Sequence, residues 1–330
     1  MKNNIQISET LKDDIKNQEN DKNLNILDFM YKYFNLYVNT KKASNISKNS
    51  LISINFILEK FFTFISDELA ENESLNINDV TKYFLNNYLI TLSNKLSKSS
   101  QKLHFTIIKN FLFFIADYDI KKYGFIKINI NGMKIKTEQK EKESFTQNEQ
   151  TLILNYIDKL DATKSFLAQR NSLIIKILLF AGLRISELIN IKWTDVTEFN
   201  DETHGILYSI LITGKGNKER YAYLQYKLIA SNLEWLKIHS SNNNYIFTST
   251  HGNQCNSSML FVVINNVLAK AGTSHRGLHI FRHTFARNLV NKDINLATIK
   301  DLLGHSNISV TAQFYAKSNE NAKRNALFGK

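Results

Sequence analysis

At 330 residues and 43% apolar content the chain is long enough for two packed domains, and 42 Lys plus Arg against 30 Asp plus Glu, a net charge of +12, point to an acidic partner, nucleic acid before any other. The single cysteine, Cys255, excludes an internal disulfide and a cysteine-based metal cage, and no apolar run reaches the about 18 residues that a membrane span needs. The first residues, MKNNIQISETLKDD, contain no apolar core of a signal peptide, so the cytoplasm is the expected compartment. Proline is absent, which leaves Gly, Asn and Asp to supply the turns and helix stops.

Residues 1–27 are polar and aperiodic and are expected to form an arm. Four runs with helical spacing follow: Ile26 to Val38, Ser50 to Leu69, Asn78 to Leu92 with Asn76 or Asn78 as cap, and Ser99 to Ala116 capped by Ser99 or Ser100. They define a helical domain over 28–128, their Phe, Leu and Ile stripes forming its core. His104 reads as a surface or core histidine rather than a ligand. Residues 29–140 hold 16 lysines against 9 acids and no arginine, so this domain is basic in its own right. Lys41, Lys42, Lys48, Lys95, Lys98, Lys102 and Lys109 lie at helix starts and in loops, which suits contacts to a phosphate backbone or an ordinary solvated face. Residues 129–143 lose periodicity and gain charge, as a linker does.

The second domain, 144–330, opens with Thr146 and Glu149 spaced as a capping box. Gln169 to Phe180 is an apolar helix that Gly182 stops, and Arg184 stands where the next helix begins. A cation there, in apolar surroundings, calls for an anion; an ion pair with Glu187 one turn on is the alternative. Gly205 to Thr213 and Arg220 to Leu224 alternate as strands, joined by a hairpin in which Lys215 sits between Gly214 and Gly216. A turn lysine is ordinarily just solvated. Leu224 to Ile238 and Ser258 to Ala271 read as amphipathic helices, while His239, His251 and His275 fall in polar loops and suggest no role.

The stretch HIFRHTFARNLVNKDINLATIKDLLGHSNISVTAQFYAK carries the densest chemistry. His279, Arg282 and His283 fall at i, i+3 and i+4 on one helical face. Asn295 to Leu303 is a helix that Gly304 stops, His305 follows, and a last short helix presents Tyr315. His279 and His283 have the spacing of a zinc pair but lack an intervening glutamate and a third ligand. No Walker-type loop and no carboxylate cluster for divalent metals is present. Two arginines, a hairpin lysine, two histidines and a tyrosine instead suit metal-free phosphoryl transfer: guanidiniums clamp a phosphodiester, a tyrosine attacks phosphorus, a lysine protonates the departing alkoxide.

AGLRISEL, TGKGNKER, HIFRHTFA and LLGHSNISVTAQFY resemble, in order, the four motif regions of the tyrosine recombinases, the integrase family, and most nearly the bacterial Xer type. The resemblance spans 146–317, and the basic helical domain before it is similar to that family's core-binding domain. It implies a mainly α fold: a SAM-like helical core-binding domain, then a mostly helical catalytic domain with a small antiparallel β-sheet. It also implies roles. Arg184 and Arg282 bind the scissile phosphate, Lys215 protonates the leaving 5′-hydroxyl, His279 acts as acid/base, His305 bonds a phosphate oxygen, and Tyr315 is the nucleophile that forms a 3′-phosphotyrosine. Glu187 is expected to orient the first arginine region, and His283, the family's common neighbour of the second arginine, to be structural. Family prolines are replaced here by Ala222, Tyr223, Gly277 and Leu278, none of which carries chemistry.

By the same resemblance the partner is double-stranded DNA, gripped by two domains in a C-shaped clamp. Four copies of the chain act on two sites through a Holliday junction, without cofactor or metal. A second recombinase or a DNA translocase remains open as a further partner. Leu327 and Phe328 are expected to dock into a neighbouring copy. The short arm favours chromosome-dimer resolution at a short core site. A mobile-element or plasmid integrase or resolvase, a type IB topoisomerase and a non-catalytic DNA-binding protein are the other readings.

Overall fold

A computed structural model of the chain describes residues 25–122, 130, 132–136, 143–214, 216–240 and 243–304. The chain divides into two compact units, residues 1–139 and 140–330. Among the described residues there are eleven α-helices and one three-stranded antiparallel sheet, the mainly α architecture expected. None of these helices is long and apolar enough to cross a membrane.

The first unit is built from α1 (Ile26–Ala43), α2 (Lys48–Glu71), a 3₁₀ turn (Ile77–Asp79), α3 (Lys82–Ser93) and α4 (Lys98–Lys122). Each start is made by a short polar side chain that accepts a free first-turn N–H. Asn25 accepts from Asp28, Ser47 from Ser50, Thr81 from Phe84 and Ser97 from Ser100. Two expectations change here. Asn76 does cap, but it caps the 3₁₀ turn, and α3 starts afresh at Thr81; α4 is capped by Ser97, ahead of the expected Ser99 or Ser100. In a serine-rich run the side chain three residues before an available N–H wins, and composition does not say which one that is.

The core of this unit is aromatic. Phe29, Phe61, Phe62, Tyr88 and Phe111 are fully buried, and Phe61 meets Tyr88 edge-on with ring centroids 5.1 Å apart. His104 belongs to this core, its Nδ1 2.9 Å from the Tyr88 hydroxyl; burial, and after it the charge of Lys60, lowers its pKa. Ile26, where the first helical run is expected to begin although the expected arm reaches residue 27, is buried here. So is Ile130, within the expected linker, and Met133 and Ile135 pack against the same core. Residues 1–24 lie outside the described residues.

The second unit is organised on α6 (Phe166–Ala181), which α5 (Gln147–Asp161), α8 (Tyr226–His239), α9 (Ser257–Ala271), α10 (His279–Asn291) and the sheet all touch. A helix buried nearly all round must satisfy its polar residues internally. Lys176 donates to Asp161 and to Asn232, both at 2.7 Å; Asn232 in turn donates to Asp161 and to Gln169. Arg170 donates to the Thr248 carbonyl at 2.8 Å. The sheet runs β1 (Val196–Asp201), β2 (Gly205–Thr213), β3 (Glu219–Gln225), with Ile210 opposite Ala222 and Ile212 opposite Arg220. Periodicity reads β2 and β3 but not β1, whose VTEFND run carries only one apolar residue on each face, Val196 and Phe199, as an edge strand permits.

The capping box at α5 does more than cap. The Glu149 carboxylate accepts from the Thr146 N–H and also from the N–H of Ser274, the Ser274 hydroxyl and the N–H of His275, and lies 2.8 Å from His275 Nδ1. It thereby ties the loop ahead of α10 to the start of the unit. Burial alone would raise its pKa, but these donors outweigh it and hold the carboxyl far below the usual range. A depressed folded pKa means stability that is present above the unfolded value near 4.3 and is lost as pH falls. Glu149→Gln is therefore expected to cost about 2–4 kcal/mol in urea unfolding at pH 7, the gap narrowing below about pH 4. An equal gap at pH 7 and pH 3 would show that the charge is not what holds the loop.

Candidate active site

The ends of several helices and of the hairpin bring the site together. α6 stops at Gly182, whose φ of 61° is left-handed. A Cβ at Gly182 would stand 2.3 Å from Cδ1 of Phe285 on α10, so the glycine is required both by its conformation and by the approach of that ring. The chain then turns through buried Leu183 into the short helix α7 (Ile185–Leu188) with Arg184 at its N-cap. Glu187, one turn on, accepts from the Arg184 N–H at 2.8 Å with one oxygen and from Arg184 Nη1 at 2.8 Å with the other. The ion pair held open as an alternative is present. It leaves the Arg184 side chain 37% exposed, while Glu187 is buried.

Arg282 enters from the first turn of α10 and is 5% exposed. Its Nη1 donates to the Gly182 carbonyl at 2.9 Å, and its Nη2 donates to the Leu303 carbonyl at the end of α11 (Leu296–Leu303). Gly304, left-handed at φ 63°, stops α11 as expected, and Asn295 is its N-cap. Burial above all, then the positive charge of Arg184, and also that of Arg220, pull the Arg282 pKa down to about 9 against the opposing pull of Glu187. The guanidinium therefore stays charged at neutral pH in a place that favours an incoming anion.

The remaining expected residues divide. His279 is the first residue of α10, exposed, and three positions before Arg282, so it shares that face. Lys215, His305 and Tyr315 lie outside the described residues, as do Leu327 and Phe328. The hairpin that holds Lys215 is described on both sides: Gly214 donates to the Lys218 carbonyl at 2.8 Å, and Gly216 and Asn217 have φ of 75° and 60°. A Cβ on Gly214 would lie 3.8 Å from Glu187 Oε1, so the base of the hairpin reaches the arginine cluster. His283 Nδ1 lies 3.1 Å from the Glu143 carbonyl. In the first unit, Lys41 and Lys109 lie over the rings of Tyr37 and Phe113.

Two participants were not legible as such in the motif reading. His275 holds Glu149, and Arg220 makes a two-pronged contact with Glu187: Nη1 to Oε1 at 3.1 Å and Nη2 to Oε2 at 2.8 Å. The sequence does contain a signal for Arg220. It stands in register with Ala222 and Leu224 on the inward face of β3, and a cation at an inward strand position needs a buried partner.

Comparison with known proteins fits this geometry. The sequence pattern of the phage integrase family matches residues 143–322. The chain is 28% identical over 298 residues to the tyrosine recombinase XerH of Campylobacter jejuni, covering 88% of this chain and 81% of that protein. It is likewise 28% identical over 295 residues to the tyrosine recombinase XerC of Staphylococcus aureus, covering 87% and 93%. A crystal structure of XerH site-specific recombinase bound to difH substrate, a pre-cleavage complex, superimposes with a TM-score of 0.67 at 25% identity, covering 86% of this chain and 81% of that one. With a family match over more than half its length and the arginine cluster in place, the chain belongs to the phage integrase family and is a tyrosine site-specific recombinase of the Xer/integrase type.

Proposed function

We propose that the protein cleaves and rejoins double-stranded DNA through a 3′-phosphotyrosine, as a tetramer on two sites, and serves to resolve chromosome dimers. The observation that carries the reading is the meeting of Arg184 and Arg282 across the left-handed turn at Gly182. Two guanidiniums and the Arg220 charge share one carboxylate, so the cluster has an excess of positive charge that a phosphodiester would neutralise. In this reading Arg184 and Arg282 take the non-bridging oxygens, and His305 donates to one of them. The Tyr315 oxygen attacks phosphorus while His279 accepts its proton, the bond to the 5′-oxygen breaks, and Lys215 supplies the proton that the leaving group gains. The phosphotyrosine keeps the bond energy, so attack by a free 5′-hydroxyl reverses the step without a cofactor. The finer assignment to chromosome resolution draws on the names of the relatives. A further recombinase, a translocase partner and a cytoplasmic location belong to the same proposal.

The test is a nicked duplex that traps the covalent intermediate by letting the cleaved fragment diffuse away. The wild-type protein is expected to form a protein–DNA adduct on a chromosomal core site, and Tyr315→Phe to form none while retaining DNA affinity within about threefold. Adducts on DNA of any sequence would favour a topoisomerase; no adduct on any DNA would overturn the assignment.

A further inference from the structure

The contacts of Glu187 assign work to a residue outside the six expected catalytic positions. Glu187 is enclosed, with its side chain 4% exposed, and its two oxygens take four hydrogen bonds. Arg220 provides two of them, one to each oxygen, in the fork geometry that a guanidinium matches to a carboxylate. Arg184 is thereby limited to a single side-chain bond with Glu187, at Oε1. The third contact of Arg220 is its Nε–H, which donates to the Leu302 carbonyl at 3.1 Å. Carbonyls in the last turn of a helix have no intrahelical donor, so this bond, with that of Arg282 to the Leu303 carbonyl, fixes the end of α11. The site is shaped to admit the side chain, because a Cβ on Gly304 would lie 3.0 Å from Arg220 Nη1 and 3.2 Å from its Cδ.

We propose that Arg220 is a positioning residue for strand cleavage, keeping Glu187 from chelating Arg184 and so leaving the outer edge of the Arg184 guanidinium for the phosphate, while anchoring the last turn of α11. This rests on the reading of Arg184 as a phosphate ligand. The physical argument is a competition. A buried carboxylate takes the best bidentate donor within reach; with Arg220 gone, that donor is Arg184, and its guanidinium turns inward. Stability alone does not call for a cation here. A buried ion pair costs desolvation, and replacing both partners by hydrophobic side chains of similar volume is often as stable, so stability does not explain why the pair is there.

The experiment measures single-turnover adduct formation on the nicked duplex at saturating protein, gel-shift affinity for the intact duplex, and thermal unfolding. The proteins are wild type, Arg220→Met, Arg220→Lys, Glu187→Gln and the double variant Arg220→Met/Glu187→Gln. The expected result is a rate constant about 100-fold below wild type for both Arg220 variants, with affinity within about threefold. The lysine keeps the charge but has no fork, so it is not expected to rescue. The double variant is expected to react no more slowly than Arg220→Met alone, because the carboxylate that captures Arg184 has been removed as well. A purely structural role would lower the amplitude of the reaction along with the melting temperature and leave the rate constant of the folded fraction unchanged. Rate constants within threefold of wild type would overturn the proposal, as would losses that multiply in the double variant. Should Arg220→Met not fold, Arg220→Lys decides by the same rate criterion. If wild type itself forms no adduct, the functional reading falls and this proposal with it; a reactive wild type with unaffected Arg220 variants removes this proposal alone.

Discussion

Glu187→Gln is expected to be among the most damaging single changes in the second unit, costing about 3–5 kcal/mol of stability. The side chain keeps its shape but loses its charge, and its new NH₂ group faces guanidinium donors where Oε1 or Oε2 accepted three of their bonds. Arg184, Arg220 and Arg282 then repel one another with no carboxylate between them in a desolvated place, where charges interact far more strongly than in water. Urea unfolding at pH 7 measures the loss as a lower midpoint at unchanged slope. The pH dependence has a definite sign. Burial would raise the Glu187 pKa, but the Arg220 fork and the Arg184 N–H lower it overall. A depressed folded pKa gives stability that is present above about pH 4.3 and is lost on acidification, so wild type and variant converge in acid. A shift below about 0.5 kcal/mol at pH 7 would show that the cluster does not depend on this carboxylate.

Gly182→Ala is expected to be nearly as severe, about 2–5 kcal/mol, from two independent sources. An alanine at φ 61° costs about 1–2 kcal/mol, since an L-residue in the left-handed region crowds its own carbonyl. The new methyl would also meet the Phe285 ring at 2.3 Å, and overpacking of that kind costs about 1–3 kcal/mol. Phe285 packs on the small core that Ala286, Val290, Ile299 and Leu303 make between α10 and α11, so moving the ring moves the elements that carry Arg282 and its Leu303 contact. Thermal unfolding is expected to fall by roughly 10 °C. A cycle with Phe285→Ala separates the sources: the two changes together should cost about 1–2 kcal/mol less than their sum, because the double variant has no clash to relieve. Strict additivity would mean that the ring yields freely and that backbone strain is the whole effect.

Much of this protein was legible from local chemistry. The spacing of Phe, Leu and Ile marks α1, α2 and α6 because burying one face, or all faces, needs those residues at helical intervals. Thr146 with Glu149, Asn295 and Gly304 mark their helix ends because a free N–H or a left-handed turn is satisfied by few residue types. The caps that differ from expectation, Ser97 in place of Ser99 or Ser100 and Thr81 in place of Asn76 or Asn78, lie where several equivalent hydroxyls or amides compete within a few residues. The edge strand β1 escaped because neither of its faces is continuously apolar. Arg184 and Arg282 were recognisable as a pair by the order of the motifs around them.

By itself, then, the sequence determined the helical and hairpin elements, the basic character of the first unit and the residue types available for phosphoryl transfer, all of which follow from interactions within a few residues. Only the tertiary structure decided that Glu187 is shared, that Arg220 crosses 33 residues of chain to fork it, and that the carbonyls of Gly182 and Leu303 meet in one guanidinium. Such contacts depend on which ends of different elements are packed side by side. That placement is set by the burial of α6 beneath the sheet and α10, and no local pattern of residues encodes it.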